Sequence, residues 1–581
     1  MAAKKGAGAG PGNAVKELVR KFALKNALDF GTAAEGAVLG KAIAANPSLK
    51  SDMAALSATV RAEVAEVNKL DRASIEKEAA KYSEEFKAAE AEKAEKSSQH
   101  SFEIAGAVMG KVITRFPPEP GGYIQIGNAK QCILSDELVR VYRGKIYLFF
   151  DDTNPEKCKQ EYVDGIREDT KWLGINFSKE YYSSDYIEAV YDSGRRLLRQ
   201  GDAYVCLCSA EDVKKNRAEK RECAHRGQDP ALNLRLFEEM LRGKYDEQQA
   251  IVRLKGDMHS DNTTFRDPSL FRVKKTEHFR LGSRYVVWPN YHINTPVVDN
   301  INGITDTIRG KEYEIWDEIN KKMLNSLGLK PPRMHYESML KIEGTPTHKR
   351  VLRKLIKEGT VSGWDDPRLV TIASLRRRGI QPEAIRQFVL RFGMSKAEST
   401  VSMDMLLAEN RKLIDPIARH MFFVKDPVKL SVKGAGAIDA KLRLHPSNDS
   451  GFREYRTRDV FYVSGDDASS LKEGDVVSLK DLLTVKIVSK SRQSMTASVD
   501  PSRGKVIHWV SDGNCVACSV LVPEALLDNE GNVRKDSLKV ENGYVESYAT
   551  RLNKGDIVQF ERYGYCVLDS KENMRFILTS R

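Results

Sequence analysis

The chain has 581 residues, of which 41% are hydrophobic and 30% are charged. This length exceeds what one hydrophobic core usually serves, so we expect several domains, and no apolar run approaches the roughly 20 residues of a membrane-spanning helix. The formal net charge of +12 favours a polyanionic partner, nucleic acid first. The eight cysteines lack the dense spacing of a disulfide framework, which indicates a reducing compartment. The N-terminus lacks an apolar signal segment, so we expect a cytoplasmic location and no membrane partner.

The first 100 residues are predicted to form a helical domain. In "NAVKELVRKFALKNALDFG" the side chains of Val15, Leu18, Val19 and Phe22 fall on one helical face, and Gly31 is a candidate C-cap.

From about residue 110 to residue 329 the pattern changes to strands that alternate with helices. The stretches "KVITRF", "KIYLFFDD", "AYVCLC" and "YVVWPNY" are typical of buried strands. Such alternation predicts a parallel α/β sheet of the nucleotide-binding type. Residues 330–420 again favour helices, and residues 421–581 carry short alternating strands separated by turn signals at the spacing of a β-barrel.

One glycine-rich stretch indicates a phosphate site. In "TRFPPEPGGYIQIGNAK", two prolines and the pair Gly121–Gly122 lie between a strand and a helix. A helix that starts near Gly127 would direct unpaired backbone amides and a positive dipole towards a bound phosphate. The alternative is a simple turn before a helix, which can have the same glycine-rich sequence.

Three further stretches carry charged or polar groups, two of them at strand ends and one in a loop before a helix. "YLFFDDTNP" ends a strand with Asp151, a candidate partner for an ammonium group or a metal, and Asp152, a candidate N-cap of the next helix. "THKR" is a basic loop whose Lys349 and Arg350 could reach a triphosphate. The third stretch runs from Val286 to Glu314 and contains Tyr291, Asn294, Asp299, Thr305 and Arg309.

Taken in order, these motifs resemble those of a known family. The series "RFPPEPGGYIQIGNAK", "LFFDDTNP", "VWPNYHINTPVVDNINGIT", "RGKEYE", "THKR" and "GWDDPRL" is similar to that of the glutamyl-tRNA synthetases, and more narrowly of the archaeal branch, whose β-barrels are shared with glutaminyl-tRNA synthetase. The resemblance covers nearly the whole chain.

The resemblance implies a multidomain α/β and all-β protein. Its expected parts are a helical N-terminal domain (1–100), a class I Rossmann-like catalytic domain in two halves (110–205 and 285–329) interrupted by an acceptor-stem-binding insertion (206–284), a helical stem-contact domain with a mobile loop (330–420), and anticodon-binding β-barrels (421–581).

The resemblance also assigns roles to individual residues. "PEPGGYIQIGN" corresponds to the ATP-binding signature called HIGH, and "THKR" to the mobile loop called KMSKS. The expected ATP-binding residues are Pro118, Glu119, Pro120, Gly121, Gly122, Tyr123, Ile124, Gln125, Ile126, Gly127, Asn128, His348, Lys349 and Arg350. Gln125, Asn128 and Lys349 among them are expected to contribute to catalysis, and the expected glutamate-binding residues are Arg115, Asp151, Tyr291 and Arg309. The implied reaction joins L-glutamate to tRNA(Glu) with ATP and Mg²⁺.

The sequence departs from the family pattern at several of these positions. Gln125 and Asn128 replace both histidines of the HIGH signature, and His348 replaces the serine of the mobile loop. Phe149 replaces the usual arginine before the two aspartates, and His292 an aspartate that often follows Tyr291. Because amide side chains also donate hydrogen bonds, catalysis remains the expectation. The alternatives are glutaminyl specificity and a tRNA-binding paralogue that has lost activation.

Three other groups of residues are candidate binding groups. Arg368, Arg376, Arg377 and Arg378 form a candidate tRNA phosphate contact, and Lys505, Arg562 and Tyr563 are candidate base readers in the barrels. Cys206, Cys208, Cys223 and His225 have the donor set of a tetrahedral Zn²⁺ site, with buried unliganded thiols as the alternative. Whether tRNA(Gln) is also charged stays open at this stage.

Overall fold

The computed structural model of the protein describes residues 13–86 and 102–581, which divide into two units, Met1–Glu103 and Ile104–Arg581. None of the helices within those described residues has the length and apolar character needed to cross a membrane.

The first unit is helical and has its own hydrophobic core. Its helices are α1 (Asn13–Phe30), α2 (Glu35–Ala45), α3 (Met53–Val67) and α4 (Arg72–Ala79). Val19 is fully buried in this core, and Val15 and Phe22 pack against it, so the predicted apolar face of α1 does face the core. Gly31 follows α1 with φ +83°, and its N–H donates to Ala27 O at 2.8 Å, which ends the helix in a left-handed turn.

The second unit begins with the α/β part. Its strands are β1 (Ile113–Phe116), β2 (Lys145–Phe150), β3 (Lys179–Tyr182), β4 (Ala203–Cys206), β5 (Ile251–Leu254), β6 (Ser269–Val273), β7 (Val287–Pro289), β8 (Asp306–Gly310) and β9 (Arg333–Glu337). Its helices are α5 (Ile126–Tyr142), α6 (Gln160–Trp172), α7 (Ile187–Gln200), α8 (Ala210–Ala218), α9 (Pro230–Leu241), α10 (Tyr291–Ile301) and α11 (Asp317–Ser326).

Two short parallel sheets form the nucleotide-binding core. Strands β1, β2 and β3 pair in parallel in that order, and β8 pairs with β9 in parallel. The two sheets lie edge to edge, because Thr305 N, just before β8, donates to Ile113 O of β1 at 2.9 Å. The carboxyl ends of β1, β2 and β8 therefore meet at one crevice.

The predicted strands "AYVCLC" and "YVVWPNY" do not join this core. They form β4 and β7 of a separate four-stranded antiparallel sheet, β4-β5-β6-β7, so the prediction of one parallel sheet is wrong for these two strands. Apolar content alone does not distinguish a buried antiparallel strand from a parallel one.

A helical segment with a small sheet follows. It contains β10 (Leu340–Ile342), α12 (Lys349–Lys357), α13 (Ile372–Arg377), α14 (Pro382–Leu390), β11 (Ser399–Val401) and α15 (Met403–Ile414), with β10 and β11 paired in parallel.

The remaining chain is almost entirely β-structure. Its strands are β12 (Arg419–Met421), β13 (Phe423–Lys425), β14 (Val428–Lys433), β15 (Ile438–Arg443), β16 (Phe452–Thr457), β17 (Val460–Val463), β18 (Val476–Leu479), β19 (Leu483–Lys490), β20 (Ser494–Val499), β21 (Lys505–Ile507), β22 (Val510–Ser511), β23 (Cys515–Pro523), β24 (Leu538–Glu546), β25 (Ile557–Phe560), β26 (Gly564–Ser570) and β27 (Arg575–Ser580), with one short helix, α16 (Gly465–Ser470).

These strands form two barrel-like sheets, as the sequence predicts. One has the order β12-β25-β26-β27-β23-β24-β13 and the other β21-β18-β19-β20-β14-β17-β22, while β15 and β16 form a separate hairpin. Each large sheet encloses its own hydrophobic core.

Candidate active site

The site is a crevice of about 510 Å³ at the carboxyl ends of β1, β2 and β8. It brings together most of the residues that the motifs single out. The predicted residues that line it are Arg115, Pro118, Glu119, Ile124, Asn128, Asp151, Tyr291, Arg309, His348 and Lys349. The predicted residues that do not line it are Pro120, Gly121, Gly122, Tyr123, Gln125, Ile126, Gly127 and Arg350.

Two arginines at one end of the crevice share a single carboxylate. Arg115 at β1 donates through Nε and Nη2 to the two oxygens of Asp299 on α10, at 3.1 and 3.2 Å, and both side chains are fully buried. Arg309 on β8 reaches the same carboxylate with Nη2 at 4.0 Å. Burial disfavours the charge on Arg115, but Asp299, Tyr291 and Tyr181 together raise the pKa of the guanidinium, so this residue stays charged.

These arginines retain hydrogen-bonding capacity. Arg115 Nη1 and Arg309 Nε and Nη1 are buried and have no partner among the described residues. Two guanidinium groups around one carboxylate also leave one net positive charge. Buried donors of this kind require an acceptor, and a carboxylate of the substrate would satisfy both the hydrogen bonds and the charge.

An aromatic wall flanks this positive end. Tyr291 packs against Tyr313 and Trp316, with ring centroids 5.6 and 5.1 Å apart, and the guanidinium of Arg309 lies 5.8 Å from the Tyr291 ring. Burial raises the pKa of Tyr313 to about 12, so its hydroxyl is neutral at pH 7. The wall excludes water from the charged groups beside it.

Asp151 supplies the negative charge of the crevice. Its Oδ1 accepts hydrogen bonds from Thr153 Oγ1 at 3.0 Å, Ser183 Oγ at 3.2 Å and Asn294 Nδ2 at 3.4 Å. Burial raises the pKa of Asp151 to about 6, against the opposing effect of the Thr153 hydrogen bond. The group is therefore mostly ionised at pH 7 and can bind an ammonium group.

The neighbouring Asp152 has a structural role that differs from the prediction. Its Oδ1 accepts from the Ser184 backbone N–H at 2.8 Å and its Oδ2 from Ser184 Oγ at 2.6 Å, while Lys159 stands at the N-cap of α6. The prediction that Asp152 caps the following helix is wrong, because this buried carboxylate points towards a turn after β3 instead.

The residues of the two signature motifs meet at the other end of the crevice. Lys349 is the first residue of α12, and its Nζ donates to Glu119 O at 3.0 Å. Burial lowers the pKa of Lys349, while the nearby Glu119 opposes that shift. The motif "THKR" thus lies against "PEPGG", and Trp364 stacks on Tyr123 behind them at 5.8 Å between centroids.

The two amide replacements in the HIGH signature are not equivalent. Asn128 lines the crevice, in the first turn of α5. Gln125 precedes the helix and is only 3% exposed, and neither polar atom of its amide has a hydrogen-bond partner within the part of the chain that the structure describes. Asn128 is therefore the replacement that can donate to a ligand in this conformation.

Three residues that line the crevice are not predicted from the sequence motifs, although their charge or aromatic rings suit them to contact a ligand. Arg272 on β6 lines the crevice near Asp151, and Tyr313 and Trp316 follow β8. Burial lowers the pKa of Arg272, and Asp151 opposes that shift. An arginine in the buried run "SLFRV" is the one sequence signal that could have revealed Arg272.

The four arginines predicted to contact tRNA phosphates are engaged with protein groups. Arg368 pairs with Asp366 at 2.8 Å, Arg376 with Glu168 at 2.8 Å and Arg377 with Asp569 at 2.8 Å. Arg378 is 8% exposed, and its backbone O accepts from Thr579 Oγ1 at 2.8 Å. These residues do not share one exposed face, and their phosphate contacts stay a prediction that the pairing argues against.

The candidate base readers are likewise paired within the barrels. Arg562 forms a bidentate pair with Asp467, with both distances 2.9 Å, and Lys505 lies 3.6 Å from the same carboxylate. Tyr563 donates to Glu541 at 2.6 Å.

A cluster of sulfur and nitrogen ligands lies in the insertion. The Sγ atoms of Cys206 and Cys208 are 3.5 and 3.4 Å from Cys223 Sγ, and Nδ1 of His225 is 3.5 Å from Cys208 Sγ and 3.2 Å from Cys223 Sγ. All four ligand atoms lie within 4.8 Å of one another. Tetrahedral Zn²⁺ with Zn–S bonds of about 2.3 Å separates its sulfur ligands by about 3.8 Å, so the donor set fits this ion.

Comparison with known proteins agrees with this geometry. Residues 111–416 match the family model for the class I (E and Q) tRNA synthetase catalytic domain, and residues 418–500 and 506–569 match the two anti-codon binding domain models of the same class. The glutamate–tRNA ligase of Nitrosopumilus maritimus is 37% identical over 97% of this chain and 99% of that protein. The chain belongs to the archaeal glutamate–tRNA ligase family.

Two other members of the glutamate–tRNA ligases show the same extent of similarity. Those of Pyrococcus furiosus and Pyrococcus abyssi are 36% and 38% identical, each over 97% of this chain and 99% of the relative. A crystal structure of a glutamate tRNA ligase from Elizabethkingia meningosepticum resembles the chain only weakly, with a TM-score of 0.41 and 17% identity over 53% of this chain and 70% of that one. Membership of a class I aminoacyl-tRNA synthetase family implies the use of ATP, Mg²⁺, glutamate and tRNA.

Proposed function

We propose that this chain activates L-glutamate with ATP in the crevice and transfers it to the 3′ end of tRNA(Glu) in the cytoplasm. The observation that carries the proposal is the pair Arg115 and Arg309, whose guanidinium groups surround Asp299 and keep unpartnered donors in the same crevice as Asp151 and Lys349.

The charges of the crevice match those of glutamate. The γ-carboxylate of the substrate would accept from Arg115 and Arg309, and its ammonium group would bind Asp151. Glutamine offers a neutral amide there and would leave the net positive charge of the arginine pair uncompensated. The electrostatics therefore favour glutamate over glutamine.

The reaction needs positioning more than proton transfer. The α-carboxylate of glutamate is ionised at pH 7 and attacks the α-phosphorus of ATP, and the bond to pyrophosphate breaks. Lys349 would neutralise charge that develops on the phosphate oxygens, and Asn128 and the first turn of α5 would donate hydrogen bonds to them. The terminal ribose hydroxyl of tRNA then attacks the carbonyl carbon of the mixed anhydride. The acyl–phosphate bond breaks, AMP leaves, and the hydroxyl proton passes to solvent.

Magnesium bound to ATP supplies additional charge neutralisation at the phosphates. Within the crevice, Glu119 is the carboxylate suited to meet such an ion, because Asp151 is committed to the ammonium group of the substrate.

We also propose that Cys206, Cys208, Cys223 and His225 hold one structural Zn²⁺. Four donors of three thiols and one imidazole leave no open position for a substrate, which is typical of a structural site. The ion would fix the segment between β4 and α9.

A pyrophosphate-exchange assay tests the proposal. With a tRNA(Glu) transcript present, we expect exchange with glutamate, none with glutamine, and charging of the transcript. Parallel reactions without tRNA measure whether activation requires it. Charging of a tRNA(Gln) transcript in parallel measures whether that tRNA is also a partner. Exchange with glutamine alone would identify a glutaminyl enzyme. Absence of exchange in every condition would identify a non-activating paralogue, the alternative that the replacements Gln125, Asn128 and His348 suggest.

A further inference from the structure

An arginine in the insertion shares a strand face with the first of the four metal-ligand residues. Arg253 on β5 lies opposite Tyr204 of β4 in the antiparallel register. Because side chains alternate along a strand, Tyr204 and Cys206 project to the same face of β4, and Arg253 projects to that face as well. Its guanidinium lies 5.7 Å from the Tyr204 ring.

Arg253 is buried without a carboxylate partner. It is 1% exposed, its Nε donates to Asp267 O at 2.9 Å, and its Nη1 and Nη2 have no hydrogen-bond partner among the described residues. The Asp267 carboxylate is already committed. Its Oδ2 accepts from Tyr204 at 2.9 Å and Arg226 at 3.0 Å, and its Oδ1 accepts from Gly256 N at 2.8 Å.

The groups packed nearby add positive charge. Burial lowers the pKa of Arg217 on α8, and the charges of Arg253 and Arg266 lower it further. Arg266 in turn donates to Arg217 O at 2.8 Å. Burial of a guanidinium charge without a paired anion is strongly unfavourable. The protein side chains around Arg253 therefore do not by themselves explain why it is buried.

The proposed metal site would supply the missing charge. Three thiolates and one neutral imidazole around a divalent cation carry one net negative charge. Tyr204, whose ring the Arg253 guanidinium contacts, packs with Cys206 and Cys223 in one buried cluster, so a single side chain separates the guanidinium from two of the ligands.

We propose that Arg253 is the counter-cation of the zinc site formed by Cys206, Cys208, Cys223 and His225. This inference rests on the structural Zn²⁺ proposed above. The bound metal–thiolate cluster neutralises the buried guanidinium, and the guanidinium in turn stabilises the anionic cluster. Zinc binding and the burial of Arg253 are then thermodynamically coupled. Removal of the zinc makes the burial of Arg253 less favourable, and removal of the Arg253 charge weakens zinc binding.

The test uses the full-length protein and three variants. Arg253→Met removes the charge and keeps an apolar stem, Arg253→Lys keeps a charge, and Arg378→Met is the matched control, because Arg378 is also buried (8% exposed) and forms no ion pair within the described chain. For each protein we would measure zinc content, zinc affinity by competition with a chromophoric chelator, and the Tm with zinc bound and after chelation.

We expect wild type to bind one zinc and Arg253→Met to bind it about 10–100-fold more weakly, as for other residues that support metal ligands. The rise in Tm that zinc confers should shrink in Arg253→Met and be largely restored in Arg253→Lys. Arg378→Met should lower the Tm equally with and without zinc and leave zinc affinity unchanged.

Two results would overturn the inference. One is wild-type zinc affinity in Arg253→Met, with the same loss of Tm in the zinc-bound and chelated forms, which would make Arg253 a purely structural residue. The other is a wild-type protein that binds no zinc, which would also remove the proposed zinc site. Neither result bears on glutamate activation, which pyrophosphate exchange measures separately.

Discussion

Arg309 is the residue on which amino-acid selectivity should depend most directly. Arg309→Gln removes a charged donor whose Nε and Nη1 are buried and have no hydrogen-bond partner in residues 13–86 and 102–581. Hydrogen bonds to charged groups contribute about 1.5–3 kcal/mol, so kcat/KM for glutamate in pyrophosphate exchange should fall about 10–100-fold while the KM for ATP stays unchanged.

Arg61→Gln is the control for that substitution, because Arg61 on α3 is an exposed arginine that does not line the crevice. Equal kcat/KM values for wild type and Arg309→Gln would contradict the assignment of the γ-carboxylate to this end of the crevice.

Asp151 should give the activity a dependence on pH. Its pKa is raised to about 6 by burial, and only the ionised form can bind the substrate ammonium group. We therefore expect kcat/KM for glutamate to fall as the pH drops below about 6 and to reach a plateau above it.

Thr153→Val tests the origin of that pKa. The hydrogen bond from Thr153 lowers the pKa of Asp151, so its removal should move the acidic limb of the pH profile to higher pH. Thr550→Val, in the barrels, should leave the profile where it is. An acidic limb that does not move in Thr153→Val would assign the limb to a different group.

At this scale the sequence predicts the charged residues better than the groups that orient them. Arg115, Asp151 and Lys349 lie in contiguous motifs, so their spacing along the chain is informative. Thr153 lies in the same motif as Asp151, but Ser183 and Asn294 reach Asp151 from two distant segments, and no local pattern links those positions before the chain folds.

Helix α13 connects the catalytic part of the second unit to the barrels. Arg377 pairs with Asp569 of β26, and the adjacent Arg376 pairs with Glu168 of α6. Arg377→Met should lower the free energy of unfolding by about 1–3 kcal/mol, because it leaves the buried Asp569 carboxylate with Arg575 as its one ion-pair partner among the residues described.

The same variant separates this structural role from the predicted phosphate contact. If Arg377 is structural, the slope of log K for tRNA against log salt should not change, whereas loss of a phosphate contact would reduce it by about 1. A double-mutant cycle with Asp569→Asn would show whether the lost stability belongs to this pair.

The loop between β1 and α5 should be sensitive to one added methyl group. A Cβ at Gly122 would lie 2.9 Å from the Trp364 ring and 3.3 Å from Lys349 Cδ. Gly122→Ala should therefore displace the THKR segment and raise the KM for ATP in pyrophosphate exchange. Gly36→Ala, where a Cβ meets nothing within 4 Å, is the control, and an unchanged KM for ATP in Gly122→Ala would show that the two motifs do not act together.

For the whole molecule, every residue of the crevice lies in the unit Ile104–Arg581. A protein that lacks residues 1–103 should therefore keep the glutamate-dependent pyrophosphate exchange of the full chain. Circular dichroism would verify that the shortened protein is folded, and a folded but inactive protein would give the first unit a part in catalysis.

At this largest scale the order of helical, α/β, helical and all-β segments is predictable, because residue periodicity changes between them. The pairing of strands is not predictable in the same way, as β4 and β7 show. A buried strand has a similar apolar sequence in a parallel and in an antiparallel sheet, and its direction relative to its neighbour depends on a partner strand that is distant in the sequence. The predicted domain boundaries stay predictions.

The contacts of α13 with β26 and β27 limit how this enzyme can be recombined with its relatives. Arg377 and Arg378 lie more than 40 residues before the first barrel strand, yet their partners Asp569 and Thr579 lie near the end of the chain. In a hybrid whose barrels come from another enzyme and begin at Arg419, Arg377 and Arg378 would come from one enzyme and the residues they contact from the other. A crossover placed before Ile372 would preserve these contacts, because α13 and Arg378 would then come from the same enzyme as the barrels that they contact.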